Sequence, residues 1–392
     1  MRVSIRGAVI ARAARSLLPS LLLAACGERV VYLPCDASAG EPPLDASTTD
    51  TADAVSDTGP MFVDVVPLQD GFLPNEVVPT ALVLHPRASC PTGREPHCGV
   101  VRVSGGYLSL GGGALPESQP PTSVVLVSAF RLDQHEVTVA RFRRWVNAGM
   151  PAVRYPLRYP GDAVIHWRAD SQAPELPRSF DMGQMRVTWT AAPGPFEDRP
   201  VNNVTVATAQ SFCAWDGGRL PTEAQWEWVA FRLGLQGGNV RTYPHGDQAT
   251  CEDAVYGQLD TCPIPTEEVP GPLPVGSRRP EGLFYDLGGN VREFTADIAF
   301  RYGDSGSGCL RGFAGRDPVC QSPMRLGLGL ADRPQVRGAS YIDPRPSTRD
   351  DRIAPCCNTS VTDDERRIYA RYASPQVGFR CAYEDPGPFA TP

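Results

Sequence analysis

The sequence predicts an α+β fold. Helical and strand-like patterns follow one another without regular alternation, which favours α+β over a doubly wound parallel sheet. The 392 residues are 42% apolar and 8% aromatic, which is enough for a substantial core in one large domain or two ordinary ones. Forty prolines and 38 glycines indicate that long loops join the elements.

Residues 1–25 have the form of a secretory signal. They contain four arginines and then the apolar stretch 17–25, which is too short to span a bilayer as a stable helix. The sequence Leu23–Ala24–Ala25–Cys26 resembles a bacterial lipobox, so Cys26 would become the lipidated first residue of the mature protein. The alternative is an ordinary cleaved signal with a chance cysteine. We therefore expect an exported bacterial lipoprotein, attached by its lipid to the membrane, in the cell envelope at the outer membrane or periplasmic face.

Residues 26–60 are predicted to form an acidic, disordered tether. Between 36 and 60 there are six acidic residues, no basic ones and almost no large apolar side chains, so this segment cannot bury enough surface to fold. Residues 61–98 form a poorly defined lead-in. Loss of the signal would lower the formal net charge from −7 to −11, because the signal contains four arginines and no acids. An acidic chain without a basic cluster speaks against nucleic acid as a partner.

Local patterns predict two strands and one helix outside the central part of the chain. Val124–Phe130 is apolar enough for a buried strand, and Val377–Tyr383 alternates as a final, half-buried strand should. Thr138 can cap a helix that ends at Gly149. Residues 150–198 show no sustained periodicity and are predicted to be long surface loops. The buried face of the helix would carry Phe142, Trp145 and Val146.

The stretch 199–228 predicts two short helices separated by a sharp corner. Apolar residues within 208–215 recur at helical spacing, and Gly217–Gly218 is typical of a helix end. Thr222 and Gln225 have the spacing of a capping box, which predicts the start of the second helix.

The run GGRLPTEAQWEW at 217–228 resembles the signature of the formylglycine-generating enzyme family, also called the sulfatase-modifying factor domain. The resemblance covers about 99–384, leaves 385–392 as a tail, and implies GGYLSLGGG at 105–113 as the first hairpin. It also implies the family's irregular α+β fold, which is related to C-type lectins and has little regular secondary structure. Four further motifs follow the family's order: HEVTVARFRRWV at 135–146, GLFYDLGGNVREF at 282–294, VRGASY at 336–341 and VGFRC at 377–381.

Twelve cysteines in an exported chain predict disulfides, because the compartment is oxidising. Eleven remain if Cys26 is lipidated, so at least one thiol would be free or paired outside the chain. The family resemblance places Cys213 near Cys381. The sequence leaves the connectivity open, and Cys35 and the adjacent Cys356–Cys357 are left over. Three short-range pairs are consistent with the spacing: Cys90 with Cys98, Cys251 with Cys262, and Cys309 with Cys320.

The loop 286–293, DLGGNVRE, places two carboxylates on either side of glycines. Hard oxygen ligands on a tight loop suit calcium. The alternative is a simple glycine turn in which Asn290 makes the hydrogen bonds. A second calcium site of the family would need a ligand near Asp253, but the insert that completes it is short here. The resemblance assigns the first site to the side chains of Asp286 and Glu293 and the carbonyls of Gly289 and Val291.

The thiols of the family's active site are missing from their usual positions. In active members, two cysteines follow an arginine-glycine-glycine-serine strand and together bind copper(I), an ion that soft thiolates suit. Counting forward from Ser340 places Asp343 and Thr348 in those positions. Arg292 replaces the aromatic residue that the family has beside the reaction centre. Copper is therefore not expected at this position.

Other groups of residues give weaker evidence for a catalytic or metal site. A relocated copper site at Cys356–Cys357 is disfavoured, because adjacent cysteines cannot readily present both sulfurs to one ion in a linear geometry. The stretch GDSG at 303–306 resembles a protease nucleophile motif only superficially. The five histidines have no metal-ligand spacing, and His135 beside Glu136 is interpreted as structuring the helix entrance. The histidines are His85, His97, His135, His166 and His245.

Two functions of different class follow. The first is a non-catalytic binding or assembly module whose ligand would be a protein, peptide or glycan. The alternative is an oxidoreductase that converts a substrate cysteine to formylglycine, for sulfatase maturation, or oxidises another thiol with altered active-site residues. The binding face would be the groove in which the family's enzymes hold substrate peptide, near Arg292, Ser340, Tyr341 and Asp343.

Overall fold

The computed structural model describes eleven ranges of the chain, which all belong to a compact unit, Leu68–Pro392. Cys26, Thr348 and the pair Cys309–Cys320 lie outside them, as do Cys35, Cys356–Cys357, His166 and the stretch 303–306. No helix in the described ranges is both long enough and apolar enough to cross a bilayer. The ranges are 81–110, 124–154, 157–159, 164–165, 173–177, 185–232, 241–264, 269–298, 315–319, 334–346 and 373–385.

Short elements joined by long loops make up the fold, as the α+β prediction expects. The strands are β1 Ala81–Val83, β2 Val100–Val103, β3 Gly106–Ser109, β4 Val124–Val127, β5 Phe130–Asp133, β6 Leu157–Arg158, β7 Val164–Ile165, β8 Arg292–Ile298, β9 Pro334–Arg337, β10 Val377–Gly378 and β11 Ala382–Glu384. The helices are α1 Val139–Asn147, α2 Val206–Trp215 and α3 Glu223–Glu227, which continues as a π-helical turn over Trp228–Arg232.

The strands described form four small sheets. The largest has the order β1-β2-β5-β11 and is antiparallel throughout. The second has the order β10-β8-β9, with β10 parallel and β9 antiparallel to β8. Strand β3 pairs with β4, and β6 pairs with β7. The hairpin expected near 105–113 therefore takes β4 as its second strand.

The predicted helix caps at Thr138 and Thr222 are confirmed. The Thr138 side chain accepts a hydrogen bond from a backbone N–H group of α1. Thr205, which was not predicted as a cap, does the same for α2. Thr222 and Gln225 form both hydrogen bonds of the predicted capping box at α3. Gly217, just after α2, has a left-handed φ of 84°, which glycine adopts without strain.

Two strand predictions were wrong in extent. Val124–Phe130 is split into β4 and the start of β5, because the Ser128 N–H donates to Asp317 Oδ1 at 2.6 Å and the chain changes sheets there. Val377–Tyr383 is divided between β10 and β11, which also lie in different sheets. Both faces of this segment are buried, so the expected half-buried alternation is absent.

Four apolar clusters form the core of the described structure, and two of them are large. One packs α1 and α2 against the C-terminal segment, and there the Phe212 and Phe379 ring centroids are 5.5 Å apart. The other packs α3 and its π-helical turn, through Trp226 and Phe231, against β2, β4 and β5. The residues 150–198 that are described contain no regular element apart from β6 and β7.

A buried polar network, here called the Asp133 cluster, joins the helices to the largest sheet. It contains Asp133, Asp216, Arg87, Arg141 and Tyr383. Each arginine bridges both aspartates, at N–O distances between 2.9 and 3.1 Å. The Tyr383 hydroxyl lies 3.2 Å from Asp133 Oδ1 and 3.1 Å from Asp216 Oδ2. Arg87 therefore belongs to the folded core, although the sequence placed it in the lead-in.

Three disulfides join described residues. They are Cys90–Cys98, Cys213–Cys381 and Cys251–Cys262, with Cα–Cα distances of 5.9, 5.5 and 5.5 Å. These are three of the four pairs considered from the sequence. Cys213–Cys381 connects α2 to the C-terminal segment across 168 residues, so it constrains the unfolded chain most strongly.

Candidate functional site

The candidate site lies at one end of the β10-β8-β9 sheet. Arg292 is the first residue of β8, and its N–H donates to Gln376 O just before β10. After β9, Gly338 adopts a left-handed φ of 84° and leads the chain into the turn 339–343. Arg292 and Asp343 thus approach from different elements, 51 residues apart in sequence.

Arg292 and Asp343 form a two-pronged ion pair. Arg292 Nε donates to Asp343 Oδ2 at 2.9 Å, and Arg292 Nη2 donates to Oδ1 at 2.6 Å. The Ser340 N–H also donates to Oδ2, at 2.6 Å. The Arg292 and Asp343 side chains are 24% and 18% exposed, so the pair reaches the surface. Paired planar geometry of this kind is the strongest form of arginine–carboxylate contact.

Ser340 and Tyr341 are buried under the ion pair. Ser340 Oγ donates to Gln376 Oε1 at 3.1 Å. The Tyr341 hydroxyl has no hydrogen-bond partner within the described ranges, and burial raises the pKa of this phenol well above its usual value. Of the four predicted groove residues, only Arg292 and Asp343 therefore present side-chain surface.

A disulfide-closed loop fixes the backbone of the site. The Gly257 N–H donates to Asp343 O at 2.7 Å, and the Gln258 N–H donates to Tyr341 O at 2.9 Å. Both donors lie between Cys251 and Cys262, which are joined to each other. The turn that carries Asp343 is therefore held from behind by a cross-linked segment.

Asp286 meets part of the requirement for a calcium ligand. It adopts a left-handed φ of 63°, which is uncommon outside glycine. The Asp286 Oδ2 atom accepts from the Gly276 N–H at 2.7 Å, while Oδ1 is buried without a hydrogen-bond partner in the described structure. Burial raises the pKa of Asp286 to about 6. The Oδ1 atom is thus free to bind a cation or a water.

Glu293 does not fit the predicted calcium set. Arg380 donates to both of its carboxylate oxygens at 2.6 to 2.9 Å, and Trp226 Nε1 donates to Oε2 at 3.0 Å. The Glu293 carboxylate is buried and fully engaged by these donors. Gly289 lies against the backbone of Val255, where an added Cβ would come within 2.5 Å of the carbonyl oxygen. The glycine is therefore required by this close approach, whatever its carbonyl binds.

The acidic residue Glu136 was not predicted to belong to this loop. Its carboxylate accepts from the Val291 N–H at 3.0 Å and from the Asn290 amide at 2.7 Å. Burial, together with the nearby Asp286 and Glu293, raises the pKa of Glu136 well above its usual value. Asn290 also bonds Leu273, through a 2.9 Å contact to its N–H, so it ties the loop to other segments.

Elsewhere in the described ranges, few side chains that could bind a metal lie close to one another. The one place where three such ligand atoms lie within 4.8 Å of one another is Cys90, Glu95 and Cys98, and both sulfurs there are in a disulfide. Asp253 accepts hydrogen bonds from Thr250 and pairs with Arg279. This arrangement completes no second calcium set.

The histidines near the domain entrance form ring contacts. His135 stacks on Tyr285 with centroids 4.7 Å apart and meets His97 edge-on at 5.3 Å. His85 packs against Tyr383, and His245 stacks on Tyr243. These contacts are those of packed aromatic rings.

Comparison with known proteins matches most of the chain to a family model. The model of the sulfatase-modifying factor enzyme 1-like domain matches residues 87–385. The chain belongs to this family. The match begins at Arg87, before the start at 99 that the motifs suggested, and it includes the Cys90–Cys98 segment.

The relatives include proteins named as formylglycine-generating enzymes and proteins named as inactive. The formylglycine-generating enzyme of Thermomonospora curvata is 31% identical over 225 residues, which cover 51% of this chain and 71% of that protein. The inactive C-alpha-formylglycine-generating enzyme 2 of Mus musculus is 27% identical over 321 residues, covering 75% and 89%. Among solved structures, PvdO from Pseudomonas aeruginosa aligns with a TM-score of 0.42 at 18% identity, covering 73% of this chain and 94% of that one.

Proposed function

We propose that this chain is a non-catalytic lipoprotein of the bacterial cell envelope, in which the family scaffold acts as a binding or assembly module. The observation that carries this proposal is the ion pair between Arg292 and Asp343. Asp343 stands where the family resemblance expects the first copper-binding cysteine, and Arg292 stands where it expects an aromatic residue. The two replacements contact each other, so they form one new structural unit.

The chemistry of this unit opposes the family reaction. Copper(I) prefers soft thiolate ligands, and a carboxylate is a hard oxygen donor. Both Asp343 oxygens already accept hydrogen bonds from Arg292, and one of them accepts a third from Ser340. Binding a metal through Asp343 would require breaking these bonds.

The same unit is suited to recognition. The partly exposed side chains of Arg292 and Asp343 offer hydrogen-bond donors and acceptors at fixed positions. The turn that carries Asp343 is held in place by the loop between Cys251 and Cys262. We propose that a protein, peptide or glycan with complementary polar groups binds at this surface. The lipid on Cys26 would anchor the chain, and the acidic tether 26–60 would hold the domain away from the membrane.

The catalytic question can be tested directly. The purified full chain is incubated with copper(I), oxygen and a peptide that carries the sulfatase cysteine motif, and aldehyde is detected by hydrazide labelling and mass spectrometry. We expect no aldehyde above a no-enzyme control, while the Thermomonospora curvata enzyme serves as the positive control. Aldehyde formation by this chain would establish the alternative function, an oxidoreductase that makes formylglycine.

The anchor and the calcium prediction have separate tests. Incorporation of labelled fatty acid should occur in the wild-type chain and be lost in Cys26→Ser.

Metal analysis of the dialysed chain should show calcium that is absent from Asp286→Asn, because only Asp286 offers a free carboxylate oxygen in the predicted set. Equal calcium contents in the two proteins would contradict a site at Asp286.

A further inference from the structure

A pocket of about 370 Å³ lies where the turn after α2 meets β11. It belongs to the β1-β2-β5-β11 side of the fold, whereas the Arg292–Asp343 pair belongs to the β10-β8-β9 sheet. Part of its lining, including Arg219, belongs to the motif at 217–228, to which the sequence assigned no binding role. The pocket is lined by Gly217, Arg219, Tyr383, Glu384, His85 and Leu157.

Arg219 brings a weakly paired charge to this pocket. The residue is only 6% exposed, and its Nε and Nη2 atoms are buried with no hydrogen-bond partner in the described structure. The nearest carboxylate oxygen, on Glu384, is 3.6 Å from Nη1, which is too long for a good hydrogen bond. The guanidinium carbon lies 5.2 Å from the centre of the Tyr159 ring. Burying a guanidinium with free donors is costly, and this burial lowers the pKa of Arg219.

The backbone holds Arg219 firmly in place. Its N–H donates to Ala382 O at 2.9 Å, and the Ala382 N–H donates back to Arg219 O at 2.7 Å. The preceding residue must be glycine, because a Cβ on Gly218 would lie 2.4 Å from Ala382 O and 2.7 Å from the Tyr383 ring. The turn after α2 is therefore pressed against β11, and the guanidinium is preorganised.

We propose that this pocket binds a small organic monocarboxylate through Arg219. A carboxylate presents two coplanar oxygens, which match the free donors of a guanidinium. Leu157 and the Tyr383 ring would contact the apolar body of such a ligand. The pocket is thus a candidate anion site that no part of the proposed function requires.

The charges around Arg219 favour a monoanion over a dianion. Glu384 already carries one negative charge at the pocket and is 81% exposed, so it would repel a second charge on the ligand. The Arg131 Nη1 atom lies 3.1 Å from His85 Nδ1 and can only donate, so that nitrogen accepts. Burial lowers the pKa of His85, which favours the neutral ring with its proton on Nε2, so this ring adds no positive charge that would favour a dianion.

Calorimetric titration of the purified full chain with sodium benzoate tests the proposal, with inorganic phosphate as the second probe. We expect benzoate to bind at one site, and phosphate to bind at least about tenfold more weakly. Arg219→Gln should weaken benzoate binding at least about tenfold, since it removes the charged fork. Glu384→Gln should strengthen it several-fold, since it removes the competing carboxylate. Glu252→Gln, at an exposed acid on another loop, is the matched control and should leave the affinity unchanged.

Either of two results with the wild-type chain and Arg219→Gln would overturn the proposal. One is the absence of benzoate binding to the wild-type chain, and the other is an affinity that Arg219→Gln leaves unchanged. If Arg219→Gln does not fold, Glu384→Gln and the pocket-filling Leu157→Trp decide, and unchanged benzoate affinity in both refutes the site. Phosphate binding tighter than benzoate would refute a monocarboxylate as the ligand.

Discussion

The Asp133 cluster and the Arg292–Asp343 pair both join arginine to aspartate, yet they lie in opposite environments. The carboxylates of the Asp133 cluster are 0% exposed and are shared by two arginines and a tyrosine. The Arg292–Asp343 pair is about one-fifth exposed and reaches the surface of the fold. Similar chemistry therefore serves the fold in the first region and shapes a surface in the second. Burial decides which role an ion pair plays.

The largest effect should come from Asp133→Asn. This change leaves Arg87 and Arg141 buried with Asp216 as their shared carboxylate. The cluster then carries an excess positive charge, and breaking a buried pair costs about 3–5 kcal/mol of unfolding free energy. Urea unfolding followed by tryptophan fluorescence measures the loss. A loss below about 1 kcal/mol would show that the cluster does not hold the helices to the sheet.

Removing the long disulfide should destabilise the chain more than removing a short one. Cys213 and Cys381 are 168 residues apart, and Cys251 and Cys262 are 11 apart. The longer loop restricts the entropy of the unfolded chain more. The unfolding free energy of the Cys213→Ala, Cys381→Ala variant should therefore be roughly 2 kcal/mol lower than that of the Cys251→Ala, Cys262→Ala variant. Equal unfolding midpoints for the two double variants would contradict this reasoning.

His135 should make the domain acid-sensitive. Burial lowers its folded pKa from 6.5 to about 3. The unfolded chain therefore binds more protons between these values, and the stabilisation is present above pH 6.5 and lost as pH falls. At pH 5 the loss should be about 2 kcal/mol. His135→Phe keeps the stacking on Tyr285 and should flatten the pH dependence of the unfolding midpoint, whereas an unchanged slope would assign the acid sensitivity to other groups.

The smallest effect should come from Asp343→Asn, which is the matched control for Asp133→Asn. The same chemical change at a partly exposed pair should cost at most about 1 kcal/mol. For an identified ligand, the loss in binding free energy should exceed the loss in unfolding free energy, because the carboxylate is part of the proposed recognition surface. A stability loss equal to that of Asp133→Asn would make the pair a structural element.

Local signals in the sequence predicted the parts of the fold that depend on neighbouring residues. Thr138, Thr222 and Gln225 could be assigned as caps because capping involves residues three positions apart. The division of Val377–Tyr383 between two sheets could not be predicted, because it depends on partners more than 80 residues away. Apolar alternation in this segment suggested one exposed face, which is in fact buried.

The candidate site was predicted in part. Arg292 and Asp343 were identified as replacements by counting along the family motifs, but their contact depends on the fold of a turn 51 residues away. Arg380, 87 residues away in sequence, donates hydrogen bonds to the Glu293 carboxylate, and nothing in the spacing of the predicted calcium loop indicates that contact. Arg219 was part of a recognised motif, and only the structure shows that its Nε and Nη2 atoms lack a hydrogen-bond partner in the described ranges.

Oxygen consumption by the copper(I)-treated full chain, in the presence of a thiol peptide, tests the central claim most directly. Because the Arg292–Asp343 pair is proposed to replace the reactive centre, we expect the wild-type rate to equal that of the Arg292→Gln variant and of copper alone. Faster wild-type consumption that is abolished in Cys356→Ser combined with Cys357→Ser would contradict it, since the chain would then be an oxidase with relocated thiols.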